Sequence, residues 1–219
     1  MLVALGCVIG SATAAAQAPE PGSAAGRADF YAVTGWQNLR LERSSDFDGP
    51  DHNWAHAILF GGAGAGWYWT DHLKTQIDVG TGTPARHYRY RSRTINGFPT
   101  SEISRILIRR PSLALSQQYQ FFRNEWFHPR VGIGVDIARE TRTEQYDPIW
   151  GFDPLGRSTR ELVPARTEGP EHRVVVRPFG DLGFKAYMTR RAFFTGDMRL
   201  MVHGGVDQVL FRAGFGIDF

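Results

Sequence analysis

Arginine recurs at alternate positions in one stretch of this chain: Arg89, Arg91 and Arg93, then Arg105 and Arg109. A guanidinium offers planar paired donors that match the oxygens of a phosphate. Five of them on one face could grip a phosphorylated surface. They could equally be the solvated charges of an exposed hairpin. A second set mixes both signs and is scattered among apolar residues: Lys74, Asp78, Arg130, Asp136, Arg177, Asp181, Lys185, Asp197, Arg199, Arg212 and Asp218. In a closed interior each unpaired charge would cost several kcal/mol, so these eleven are candidates for one hydrogen-bonded network.

Other chemistries have less behind them. Ser112 and Ser116 could serve acyl transfer only with a base within reach, and no His is level with them. His52, His56, His172 and His203 fall near one end of the layout described below, but nothing fixes their convergence on a metal. The run Gly61-Gly62-Ala63-Gly64-Ala65-Gly66 lacks the Lys-Ser/Thr of a phosphate loop and reads as small packing residues. The single Cys excludes a disulfide framework or thiolate cluster. A net charge of +3 gives no argument for nucleic acid. No cofactor, metal or catalytic group is expected.

These residues sit in a chain that alternates. From Val209 to Phe219 the odd positions are all apolar, while Arg212, Gly214, Gly216 and Asp218 lie between them. Period two over that length is a strand with one apolar face. The same pattern predicts eight strands, at about 28–42, 52–69, 72–92, 102–122, 126–142, 171–188, 192–204 and 207–219. The apolar parity comprises Tyr31, Val33 and Leu39; Leu59, Trp67 and Trp69; Ile77, Val79 and Ala85; Leu113 and Leu115; Val131 to Ile137; Val174 and Val176; Met198 and Leu200. Thr70-Asp71, Arg123-Asn124-Glu125 and Thr189-Arg190-Arg191 make tight turns. The opposite connections are mostly longer, at about 43–51, 93–101, 143–170 and 204–206. Short turns at one end and long loops at the other are the layout of a transmembrane β-barrel.

The other parity carries Gly and balanced charge. That suits the tight interior of a small barrel, with the large apolar residues outside against hydrocarbon. Trp67, Trp69, Tyr119, Phe121, Trp126, Phe127, Phe194 and Phe219 cluster beside the short turns, where an aromatic girdle is expected. A soluble barrel would carry the reverse pattern. Strands three and four are long: His72 to Ser92 in strand three is about 20 residues, or roughly 60 Å, too long for an apolar band of about 25 Å. Their hairpin should project outward, with the five arginines just beyond the apolar run. Pro178 should cause a bulge or a parity shift, because proline cannot donate to a ladder. In the 143–170 loop, Trp150 and Phe152 are candidate partner anchors, or part of a cap over the barrel mouth.

Residues 1–18 read as a secretory signal peptide, and 19–27 as a Pro/Gly/Ala-rich lead-in to a barrel at 28–219. No Lys or Arg precedes Leu2, which points to a start further upstream.

On the strength of Val209-Leu210-Phe211-Arg212-Ala213-Gly214-Phe215-Gly216-Ile217-Asp218-Phe219, the chain resembles the small eight-stranded outer-membrane barrels of Gram-negative bacteria, the outer-membrane protein A-like group. The resemblance covers about 28–219 and implies an all-β, eight-stranded antiparallel up-and-down transmembrane barrel. It implies export through the periplasm, insertion by the barrel-assembly machinery through the strand ending at Phe219, and a membrane rich in lipopolysaccharide. No periplasmic peptidoglycan-binding domain follows Phe219, so that role of some members is not carried over. Three functions stay open: a structural, surface-contact or adhesion barrel with a filled lumen, a narrow channel for small hydrophilic or amphipathic solutes, and a lipid-A-modifying enzyme.

Overall fold

The computed structural model describes residues 27–40, 54–95, 97–121, 126–152 and 158–219. The proposed signal peptide, and the lead-in up to residue 26, lie outside these residues, as does His52.

Twelve strands are described: β1 (Ala28–Arg40), β2 (Trp54–Tyr68), β3 (Leu73–Gly82), β4 (Ala85–Ile95), β5 (Phe98–Arg109), β6 (Ser112–Gln120), β7 (Phe127–Tyr146), β8 (Ile149–Phe152), β9 (Ser158–Val163), β10 (Arg166–Tyr187), β11 (Ala192–Val202) and β12 (Val206–Asp218). Eight of them, β1-β2-β3-β6-β7-β10-β11-β12, form an antiparallel ring. It closes where β12 meets β1, from Asp29 opposite Asp218 to Leu39 opposite Gln208. Closure leaves no edge in this ring to template aggregation.

Arg123-Asn124-Glu125 lies outside the described residues, and the tight turns at Thr70-Asp71 and Thr189-Arg190-Arg191 lie at one end. There the Thr70 hydroxyl accepts bonds from the backbone N–H of His72 and Leu73, and Thr189 does the same for Arg191 and Ala192. At the other, upper end, Gly204 and Gly205 turn β11 into β12 at φ of 68° and 144°, conformations that side chains with a Cβ rarely adopt.

Period two sorts the side chains as the alternation requires. Leu59, Ile77, Val79, Leu115, Ile133, Val176, Leu182 and Phe215 point outward and are exposed; Ile133 is 73% so. Trp67, Trp69, Tyr119, Phe121, Trp126 and Phe219 ring the short-turn end, all outward and exposed. The interior is polar, with Lys74, Gln76, Asp136, Lys185 and Arg199 fully buried.

β1 departs from the expected parity. Tyr31, Val33 and Leu39 point inward and are buried, whereas Phe30 and Trp36 face outward. Both faces of β1 are apolar, because the lumen holds an apolar layer where Tyr31, Val33, Phe60, Ala114, Phe179, Met201 and Leu210 pack together.

The two long central strands are each broken. The first divides at Thr83-Pro84 and the second at Arg110-Pro111, where a proline cannot donate to the ladder. Above the breaks β4 pairs with β5, β5 with β7, and β7 with β10, so a four-stranded wall rises from one side of the barrel. Leu73 opposes Tyr119 while Ala85 opposes Ile108, so 73 to 85 spends twelve residues where 119 to 108 spends eleven. One extra residue is a bulge, and it exchanges the faces of everything beyond it. Ala85 therefore points inward and is buried, not outward as its parity in the sequence suggested.

Pro178 causes neither of its expected effects. The pairing with β7 runs unbroken from Arg177 opposite Asp136 to Phe179 opposite Gly134. The β11 ladder stops at Phe179 opposite Met201, so the missing donor of Pro178 falls where no strand needs it. The irregularity in β10 lies between Glu168 and Glu171 instead. The 143–170 connection is shorter than expected and carries its own hairpin, β8 with β9. Trp150 is 44% exposed on it, and Ile149 is buried at its base.

Candidate functional site: a filled lumen and a basic outer face

Alternation sends every second residue of the ring inward, and these side chains pair in three groups. Nearest the short turns, Lys74 Nζ lies 2.8 Å and Lys185 Nζ 3.2 Å from the Asp29 carboxylate, and Lys185 also bonds Asp218. Tyr68 donates to Asp29 at 2.9 Å, Tyr187 donates to Asp218, and Lys185 Nζ sits 3.9 Å from the centre of the Phe193 ring. Here two lysines face two aspartates.

In the middle, Arg212 contacts Asp197 at 2.8 Å and Asp78 at 3.1 Å. Arg130 contacts Asp197 at 3.1 Å, and Arg199 pairs with Asp78 and approaches Asp181 at 3.8 Å. Tyr31 donates to Asp78, and Gln118 to Asp181 at 3.1 Å. Three arginines face three aspartates.

Towards the upper end, Arg110 bonds Asp136 at 2.7 Å, Arg177 bonds Glu140 at 3.0 Å and also Asp207, and Arg173 bonds Glu140 at 2.7 Å. Three arginines again face three carboxylates. Desolvating so many ions is offset only because each group is neutral in sum and densely hydrogen-bonded.

The eleven charged residues singled out in the sequence all lie in this interior. Asp29, Arg110, Glu140, Arg173 and Asp207 belong with them and were missed. Asp29 was hidden by the inverted parity of β1. Glu140 shares the parity of Asp136 and lies within the strand expected at 126–142, two inward positions further along.

Glycine makes room for the network. A Cβ on Gly64 would lie 2.1 Å from the Tyr31 hydroxyl, and one on Gly66 would lie 1.9 Å from Lys74 Cε. The glycine run is thus packing space on its inward positions, while a Cβ on the outward Gly61 would meet nothing.

The bulge divides the five arginines of the hairpin. Arg89 turns to the inner face of the wall, 3.6 Å from Glu144, and Arg91 opposes the buried Glu102 on that face. Arg93 opposes Thr100. Arg105 and Arg109 keep the outward parity and share the outer face with Arg86, Tyr88, Tyr90 and Arg139. The inner face mixes signs: Arg142 and Glu144 lie 3.5 Å apart, and Arg166 lies 3.1 Å from Glu102 and 3.2 Å from Glu168. Burial, then Glu144 and Glu168, push the Tyr146 phenol above its ordinary pKa. The guanidinium of Arg166 lies 4.0 Å from the centre of that ring.

Ser116 is buried, and among the described residues its hydroxyl has no hydrogen-bond partner. His172 shares a 3.1 Å hydrogen bond with Thr141, and His203 stands in the upper turn. Among the described residues no three His, Cys, Asp or Glu side chains group so as to hold a metal.

Eight antiparallel strands closed on a charged interior, with an apolar exterior, define the architecture of small outer-membrane β-barrels. No family model matches the chain, and no curated protein does. Solved structures do. Neisserial surface protein A aligns with a TM-score of 0.54 at 12% identity, over 89% of this chain and 99% of that one. The N-terminal β-barrel domain of Pseudomonas aeruginosa OprF aligns at 0.48 and 12% identity, over 89% and 99%. OprG from the same organism aligns at 0.47 and 15% identity, over 89% and 97%. The likeness is one of fold.

Proposed function

We propose that this chain is a small outer-membrane barrel of a Gram-negative bacterium, exported through the periplasm, with a structural or surface-contact role and no enzymatic activity. The filled lumen carries the reading. Three neutral groups of ion pairs, with Tyr31, Val33, Phe60, Phe179, Met201 and Leu210 packed between strands, occupy the path that a solute would take. Eight strands enclose only enough space for such side chains. The exposed apolar exterior and its aromatic ring support a lipid environment. Strand β12, alternating up to Phe219, supports recognition by the barrel-assembly machinery. The barrel then serves as a rigid anchor that holds the β4-β5-β7-β10 wall outside the cell, where lipopolysaccharide is the nearest partner.

Planar-bilayer recording tests the reading. The purified chain should insert without sustained openings. Stable single-channel steps would replace the filled barrel with a narrow channel. Lipid A profiles of cells with and without the protein should match, and an altered profile would restore the enzyme alternative. A mature chain that stayed folded and monodisperse without detergent would overturn the membrane assignment itself.

A further inference from the structure

The outer face of the wall is rich in arginine and tyrosine. Its outward positions are Arg86, Tyr88 and Tyr90 on β4, Ile103, Arg105, Leu107 and Arg109 on β5, Arg139, Thr141, Thr143 and Gln145 on β7, and His172 and Val174 on β10. No Asp or Glu occurs among them, although the opposite face of the same four strands holds Glu102, Glu140, Glu144 and Glu168. One sheet has sorted its charges by side.

The register brings the arginines together. Arg86 opposes Leu107 and is therefore diagonal to both Arg105 and Arg109. Arg109 opposes Thr141 and is diagonal to Arg139. Diagonal neighbours on a sheet face lie about 7–8 Å apart, within reach for two guanidinium groups to share one anion. Arg86, Arg109 and Arg139 are exposed, and among the described residues none of the four arginines has a carboxylate partner. Arg105 lies over the Tyr88 ring at 5.3 Å, with its Nε buried and unbonded. Like charges this close repel, and the wall supplies nothing to neutralise them.

Height identifies the counter-charge. On β7 the outward residues run Val131, Ile133, Val135, Ile137 and then Arg139. From the girdle residue Phe127 to Arg139 is twelve residues, about 40 Å of strand and about 30 Å of height at a tilt of about 40°. On β6 and β5 the outward run Tyr119, Leu115, Leu113 gives way to Arg109 at about the same height. The arginines thus begin where the apolar band ends, facing away from the lumen and flanked by exposed Tyr88 and Tyr90. Aromatic and basic residues belong together at the level of lipid head groups.

We propose that Arg86, Arg105, Arg109 and Arg139 form a binding surface for the phosphate groups of phosphorylated outer-leaflet glycolipid. The proposal rests on the membrane reading above. Its anion comes from the lipid in which the barrel stands, not from a soluble polyanion approaching from outside.

The test compares the whole chain, purified in detergent, with the triple variant Arg86→Ser, Arg109→Ser, Arg139→Ser and with the inner-face variant Arg89→Ser, Arg142→Ser. Each is mixed with micelles containing a bisphosphorylated lipid A or its dephosphorylated counterpart. The folded state of each is checked by its gel mobility before and after boiling. Retention of the phosphorylated lipid should fall about tenfold in the triple variant and stay within about twofold of the parent in the inner-face variant. The parent should prefer the phosphorylated lipid. Equal retention by parent and folded triple variant, or equal retention of both lipids, would overturn the site while leaving the barrel in its membrane. A soluble sulfated polysaccharide that bound the parent more tightly than the lipid would overturn the assigned source. A parent that needed no detergent would instead bring down the membrane reading.

Discussion

Arginine appears in this barrel in two opposite circumstances. In the lumen, Arg130, Arg199 and Arg212 are almost wholly buried and are met by Asp78, Asp181 and Asp197 within 4 Å. On the outer face of the wall, Arg86, Arg109 and Arg139 are exposed and meet no carboxylate among the described residues. The first set holds the structure together because burial makes each charge depend on its partner. The second set adds little to the fold and leaves its binding capacity unspent. Burial, not residue type, separates structural from recognitive arginines here.

The largest effect should follow from breaking the lumen set. Asp197→Ala leaves Arg130, Arg199 and Arg212 facing one another without their shared acceptor. The expected loss is about 3–5 kcal/mol, read as a lower urea midpoint for unfolding from lipid vesicles. Loss of less than about 1 kcal/mol would show that water already solvates these groups, and it would weaken the filled-lumen reading.

Next comes an arginine given neither partner nor phosphate. Ile133 is 73% exposed on the outward face of β7, below Val135 and Ile137 on the same face. Ile133→Arg places a guanidinium in the apolar band and should cost about 2–4 kcal/mol in vesicles. The same substitution at Thr143, above the band, should cost about 0–1 kcal/mol. Equal costs at the two depths would mean that the outward face does not meet hydrocarbon.

The lumen charges were legible in the sequence because they fall at every second position between large apolar residues, as in β7, β10 and β12. Two things were not legible. β1 carries Tyr31, Val33 and Leu39 on one face and Phe30 and Trp36 on the other. Alternation cannot choose between two apolar faces when the lumen contains an apolar layer of its own. The bulge at Thr83-Pro84 is the second case. Pro84 and Pro111 mark breaks in what period two joins into single strands, but a proline does not reveal whether a residue is gained. That one residue decided which hairpin arginines face outward: Arg105 and Arg109 stayed, Arg89 crossed over, and Arg86 took a place that parity had denied it. Arg139 lay in plain view beyond Ile137, and extending the β7 alternation by one step finds it.

A glycine pair sharpens the contrast between inside and outside at smaller amplitude. Gly64→Ala would drive a methyl group against Tyr31 and Asp78, at 2.1 and 2.6 Å. It should destabilise the barrel by about 1–3 kcal/mol through overpacking. Gly61→Ala, three residues away on the outward face with nothing near its Cβ, should be neutral or gain up to about 1 kcal/mol. Reversal of that order in vesicle unfolding would invert the assigned faces of β2.

The smallest effect separates the two sets of arginines by salt. In a zwitterionic, phosphate-free detergent, the outer-face arginines repel one another with no counter-ion of their own. Replacing Arg109 and Arg139 with Ser should therefore leave stability unchanged or raise it by about 0.5 kcal/mol at low ionic strength. At 1 M salt the screening length is about 3 Å, shorter than the roughly 7–8 Å between diagonal neighbours, and the gain should vanish. The Asp197→Ala loss should persist at 1 M salt, because its charges are buried beyond the reach of mobile ions. A double serine variant that lost more than about 1 kcal/mol in that detergent would mean that Arg109 and Arg139 brace the wall. Their open guanidinium groups would then be structural, and the difference between the two sets would be one of exposure alone.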